Sequence, residues 1–153
     1  TLPDNLPAGL KVLACGFNQL TTLPNNLPNG LRVLNFEKNK VKVIPNNLPN
    51  SLEELRFADN GIGDLPANLP QKLTHLECSY NSIGELPATL PAGLKDLDCA
   101  NNMLKTLPEK FPAGLETLNC DDNYLTTLPA SLINSSIKFS VENNPGLVLP
   151  EQK

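Results

Sequence analysis

Tryptophan is absent from this 153-residue chain, and Phe and Tyr together bring the aromatic content to only 5%. A core must therefore be filled by aliphatic side chains rather than by a few large rings. Histidine and methionine occur once each. That leaves little scope for an imidazole-rich metal centre or a methionine-lined groove. No run approaches the roughly 18 consecutive apolar residues of a membrane span. Positive charge is also short, with 12 Lys and Arg against 16 Asp and Glu and a formal net charge of −4. The deficit lies in one half: residues 1–63 hold six basic and five acidic residues, residues 64–153 six and eleven. An acidic chain fits neither nucleic acid nor an anionic membrane surface, both of which select basic faces.

What the chain does have is a period. Asn18, Asn39, Asn60, Asn81, Asn102, Asn123 and Asn144 follow one another at intervals of 21 residues. Leu-Pro or Ile-Pro keeps the same time through Pro3, Pro24, Pro45, Pro66, Pro87, Pro108, Pro129 and Pro150. A fixed period of this length marks a solenoid or array, and a solenoid presents an extended surface rather than a closed pocket. Repeats start at residues 1, 22, 43, 64, 85, 106 and 127, with a partial eighth at 148, and residues 1–153 read as one domain. The chain opens in mid-register at Thr1, as a trimmed fragment or a processed product would.

With Thr1 as place 1, places 2, 6, 10, 13, 15 and 20 are apolar in nearly every copy. Places 13 to 15 alternate apolar with polar, which predicts one short half-buried strand per repeat and a parallel sheet. The Asn at place 18 follows where the chain must turn away. Its amide both donates and accepts, so a buried stack of these residues is expected to pair backbone groups that the turn leaves free. Prolines at places 3 and 7 exclude a long helix on the return path and predict an extended, polyproline-like convex side. Gly9, Gly30, Gly93 and Gly114 precede the leucine at place 10, where a positive φ is expected.

The strand signature, as in Leu94-Lys95-Asp96-Leu97-Asp98-Cys99-Ala100-Asn101-Asn102-Met103-Leu104, resembles the leucine-rich-repeat family. The return Leu23-Pro24-Asn25-Asn26-Leu27-Pro28 is similar to its short bacterial subclass, known from secreted effectors of the YopM and IpaH type. The resemblance implies an α/β-class solenoid, here mostly β. It would be a horseshoe of seven repeats with a parallel concave sheet, a proline-rich convex side and a protein ligand on the concave face. It also implies secretion into a host cell. The helical cap and catalytic domain that such effectors or ligases carry are not seen. Three readings follow: a non-enzymatic binding module acting on a host protein, the substrate-recognition half of a ubiquitin ligase, or an extracellular recognition domain.

Cys15, Cys78, Cys99 and Cys120 all fall at place 15. They read as small core residues; a disulfide is less favoured because three stacked thiols leave an odd one and point the same way, and a metal because no Cys-x-x-Cys or nearby His is present; reduced thiols favour a cytosolic working compartment. Places 12, 14, 16 and 17 vary freely and are expected to face the concave side. They supply the candidate partner-binding residues Asn35, Glu54, Arg56, His75, Glu77, Tyr80, Asp96, Asp98, Asn119, Asp121 and Asp122. The acidic members form a row expected to steer a basic partner, or else simply to keep the solenoid soluble. Tyr80 and Phe17 are the aromatic contact candidates. His75 between Glu54 and Asp96 has the residue types of a base or metal site, but no nucleophile shares its face and an open sheet does not exclude water. Neither catalysis, cofactor nor metal is expected, and oligomeric state is left open.

Overall fold

A computed structural model describes residues 1–149. Pro150 and the tail Glu151-Gln152-Lys153, a polar end that by sequence would discourage edge pairing, lie outside the described residues. Each repeat contributes one strand of three residues: β1 Val12–Ala14, β2 Val33–Asn35, β3 Glu54–Arg56, β4 His75–Glu77, β5 Asp96–Asp98, β6 Thr117–Asn119 and β7 Lys138–Ser140. The seven strands pair in chain order, all parallel, with Leu13, Leu34, Leu55, Leu76, Leu97, Leu118 and Phe139 in register. The chain is thus a parallel, mostly β solenoid, as the period predicts.

The strand occupies places 12 to 14, one residue earlier than the alternation suggested. The place 15 N–H still reaches the next strand, as Cys78 N donates to Asp98 O at 2.8 Å. Its carbonyl does not continue the ladder, because Asn side chains take it. Asn102 shows the pattern: Nδ2 donates to Cys78 O (2.9 Å), Cys99 O (3.0 Å) and Ala100 O (3.1 Å), while Oδ1 accepts from Ile83 N (3.0 Å). Asn39, Asn60, Asn123 and Asn144 repeat this set, and Asn81 accepts from three backbone N–H groups. Asn18, exposed in the first repeat, bonds only Cys15 O and Gly16 O of its own turn. Each interior Asn thus closes its own turn and satisfies the repeat before it.

The core runs the length of the stack behind the sheet. Leu31, Leu34, Leu52, Leu55, Leu73 and Leu94 are fully buried, each contributing about 1.5–3 kcal/mol from removal of apolar surface. At place 15 the column changes material along its length. Phe36 and Phe57 stack with ring centroids 5.6 Å apart, and Cys78, Cys99 and Cys120 then continue it as buried free thiols.

The convex return is extended, with one exception. Ile133 stands where earlier repeats have their second proline, and it keeps an N–H that donates to Pro129 O at 3.3 Å. That restores one helical turn, α1 (Ala130–Ile133). The glycine expectation fails. Gly9, Gly30, Gly93 and Gly114 sit in turns closed by the place 10 N–H on the place 7 Pro carbonyl, at 3.1 Å in each case, and none has positive φ. Ser51 and Lys72 hold the same place in the same turn, closed by Leu52 N and Leu73 N. Left-handed backbone lies elsewhere: Phe17, Lys38, Asp59, Tyr80, Asn101, Asp122 and Asn143, all at place 17, have φ between 53° and 60°.

Candidate functional site

Because Leu13 and its copies point inward, the residues on either side of them point out. Places 12 and 14 therefore form two parallel columns on the exposed sheet face. From repeat 3 onward that face encloses a groove of about 430 Å³ lined by Arg56, His75, Glu77, Asp96, Asp98, Thr117, Asn119, Lys138 and Ser140, with the inward residues at its floor. Asn35 and Glu54 stand in the same columns, in register with Arg56 and His75 respectively.

The expected bare acidic row is instead a set of pairs. Arg56 lies between two carboxylates, with Nη1 3.0 Å from Glu77 Oε2 and Nη2 3.6 Å from Glu54 Oε2. His75 Nε2 is 2.8 Å from Asp96 Oδ2, and the Thr117 hydroxyl donates to the other Asp96 oxygen. Thr74 Oγ1, 2.9 Å from His75 Nδ1, holds the ring from its other side. Strand register causes the Arg56–Glu77 and His75–Asp96 pairings, since it sets each pair directly across adjacent strands, whereas Glu54 is two residues from Arg56 on the same strand. Asp98 is the exception. Its Oδ1 accepts from Ala100 N at 3.1 Å, yet burial, with a smaller contribution from nearby Asp121, pushes its carboxyl above the usual range. Asn119 on the next strand and Asn35 three strands away in the same column make the same bond, to Asp121 N and Glu37 N, without a charge.

Places 16 and 17 do not join the groove. Ala58, Ser79 and Ala100 at place 16 are buried, so this column is scaffold in the central repeats. Asp121 at the same place accepts from the Ser140 hydroxyl and from Glu142 N, which ties it to the last turn. Place 17 forms a rim beside the sheet, where Tyr80 and Phe17 are 62% and 70% exposed and Asp122 is exposed. Lys38 Nζ sits 5.6 Å from the Phe17 ring centroid and 3.8 Å from Asp59. Asn and Asp tolerate the left-handed region and fill four of the seven copies; Phe17, Lys38 and Tyr80 hold it at a cost of about 1–3 kcal/mol each. That preponderance of Asn and Asp was the signal that pattern-reading passed over.

Cys15, Cys78 and Cys99 are poor nucleophiles. Cys99 Sγ is 3.4 Å from Cys120 Sγ, and their contact together with burial raises the Cys99 pKa; burial likewise raises those of Cys78 and Cys15. No group of three His, Cys, Asp or Glu among the described residues is arranged to hold a metal ion.

The FNIP repeat profile matches residues 17–60. The structure of a Shigella effector leucine-rich-repeat domain is 34% identical with a TM-score of 0.74, over 78% of this chain and 53% of that one. YopM from Yersinia pestis is 33% identical with a TM-score of 0.72, over 97% of this chain and 46% of that one. This chain is a leucine-rich-repeat protein. The functional domain of Listeria monocytogenes InlJ, which includes a cysteine ladder, matches this leucine-rich-repeat protein with a TM-score of 0.83 at 27% identity, over 92% of this chain and 31% of that one. No curated protein matches in sequence. The leucine-rich-repeat chain spans about half the length of the Shigella and Yersinia pestis structures and less of InlJ. Among the described residues no helix is long and apolar enough to cross a membrane.

Proposed function

We propose that this leucine-rich-repeat protein is a non-enzymatic interaction module that holds a protein partner on its concave sheet, as part of a bacterial effector acting on a host protein. One observation carries the reading. The inward column is Leu in six strands and Phe in the seventh, whereas the two outward columns change chemistry at nearly every strand. A scaffold needs the first kind of column; recognition needs the second. The likeness to effectors from Shigella and Yersinia supports delivery into a host cell. The residues that carry recognition are Glu54, Arg56, His75, Glu77, Asp96 and Asp98, with Asn35 and Asn119 at the two ends. Glu54, Glu77, Asp96 and Asp98 outnumber the permanent cations Arg56 and Lys138 on the same face and favour a partner with a basic surface.

Affinity capture from a candidate host lysate tests this, with a Glu77→Gln/Asp96→Asn/Asp98→Asn chain as the control. Asp121 stays untouched because it holds the last turn. A protein retained by the parent chain and lost by the control, with unchanged circular dichroism, supports the concave site. A partner retained equally by both chains refutes it.

A further inference from the structure

Exposed large apolar side chains are few, and they are not scattered. Of the eight among the described residues, Phe17, Tyr80, Met103 and Tyr124 fall at places 17 and 19, the two positions flanking the ladder Asn. Those turns are knitted together along the stack. Tyr80 N donates to Ala100 O at 3.0 Å, Met103 N to Ile83 O at 2.8 Å and Tyr124 N to Leu104 O at 2.8 Å. Tyr80, Met103 and Tyr124, which are 62%, 51% and 56% exposed, therefore belong to three consecutive turns of one rim. From repeat 3 onward, places 16 to 19 hold no Lys or Arg and carry Asp59, Asp121, Asp122 and Glu142. Lys38 lies 3.8 Å from Asp59, Lys42 donates to Asn60 O at 2.9 Å, and Asp121 is tied to the last turn, leaving Asp122 and Glu142 with no ion pair among the described residues. A second, independent observation comes from the backbone. Tyr80 holds a left-handed conformation, φ 54°, at a place where Asn101, Asp122 and Asn143 stand without the same strain. The Tyr80 ring is 62% exposed, so little of its surface is packed within the chain to offset that strain.

We infer that this rim is a second contact surface beside the concave groove, fitted to a protein segment whose apolar side chains are flanked by Arg or Lys. Tyr80, Met103 and Tyr124 supply flat or adaptable apolar anchors, and Asp122 and Glu142 supply the complementary charge. The acidic rim repels its own copy, which disfavours self-pairing as the explanation of the patch. The inference rests on the protein-binding reading above and adds where the apolar contacts are made.

The test titrates the whole isotope-labelled chain with three short peptides, alternating Leu-Arg, Gly-Arg and Leu-Glu, and follows backbone amide shifts. Saturable shifts confined to the turns of Asp59, Tyr80, Met103 and Tyr124 are expected with Leu-Arg alone. The Tyr80→Asn/Met103→Ser/Tyr124→Asn variant should weaken that binding by at least about tenfold, the scale of losing aromatic anchors. Equal binding of Gly-Arg reduces the rim to bare electrostatics and overturns the proposal, as does the absence of any saturable shift. Shifts at Glu54, His75 and Asp96 instead overturn the rim while leaving the concave site standing. Thermal unfolding of Tyr80→Asn provides the second readout. A melting temperature at or above the parent's is expected; a clear fall makes Tyr80 structural and overturns its role as an anchor.

Discussion

Replacing Asn102 by Ala should be among the most damaging single changes to a polar side chain in this molecule. The amide contacts four backbone groups at 2.9–3.1 Å, its two N–H groups shared among three carbonyls of two repeats and its Oδ1 accepting from Ile83 N. Asn102 is only 5% exposed, so water cannot step in freely. Net loss runs at about 1 kcal/mol per bond, with the full desolvation cost falling on whichever groups stay buried and unpaired. The expected total is about 3–5 kcal/mol, a large share of the 5–15 kcal/mol that a typical domain has. Asn18→Ala is the internal control. That residue is exposed and bonds only its own turn, so its loss should cost about 1 kcal/mol or less. Urea unfolding at equilibrium reads both values from midpoint and slope. A fall in slope for Asn102→Ala alone would mean that the stack has split into two cooperative blocks at that repeat. The reasoning fails if Asn102→Ala costs under about 1 kcal/mol, or if Asn18→Ala is equally costly.

Two further outcomes are expected. Burial, assisted by Asp121, raises the Asp98 pKa, so the folded chain binds that proton at higher pH than the unfolded chain does. The charged form therefore costs stability above this range, and the cost is relieved as the pH falls. Asp98→Asn keeps the bond to Ala100 N, as Asn35 and Asn119 show, so it should raise the melting temperature at neutral pH and remove that gain in acid. A lower neutral melting temperature contradicts this. The buried thiols with raised pKa values predict that a disulfide reagent labels the native chain slowly, Cys15 first, and titrates four thiols once urea unfolds it. Rapid native labelling of Cys99 would contradict the packing of that column.

Much of the scaffold could be read from repetition alone. The leucine columns, the proline return and the Asn at place 18 recur at one phase, and seven copies average out accidents that mislead in a single strand. Features that depend on backbone conformation were harder to read. Glycine at place 9 suggested positive φ, but that turn needs none, and Ser51 and Lys72 prove equally suited to it. The left-handed residue sits at place 17, where Phe, Lys and Tyr obscure the Asn and Asp that suit it. The concave charges were legible as types but not as pairs. That Arg56 meets both Glu54 on its own strand and Glu77 on the next depends on side-chain reach that one-dimensional spacing does not contain. Burial of place 16 was missed because its small occupants, Ala58, Ser79 and Ala100, look like variable surface until the turn packs over them.

The Asn amide reaching back into the preceding repeat makes the stack directional. Every turn is finished by the one that follows it, so the unit of inheritance is the whole repeat, and crossing-over between copies in phase leaves every junction chemically intact. Lineages built this way can shuffle, gain or lose strips of the recognition face while the bonding at each seam stays the same. Recombination in phase can therefore vary the binding face alongside point substitution, whereas a slip out of phase strands a buried amide.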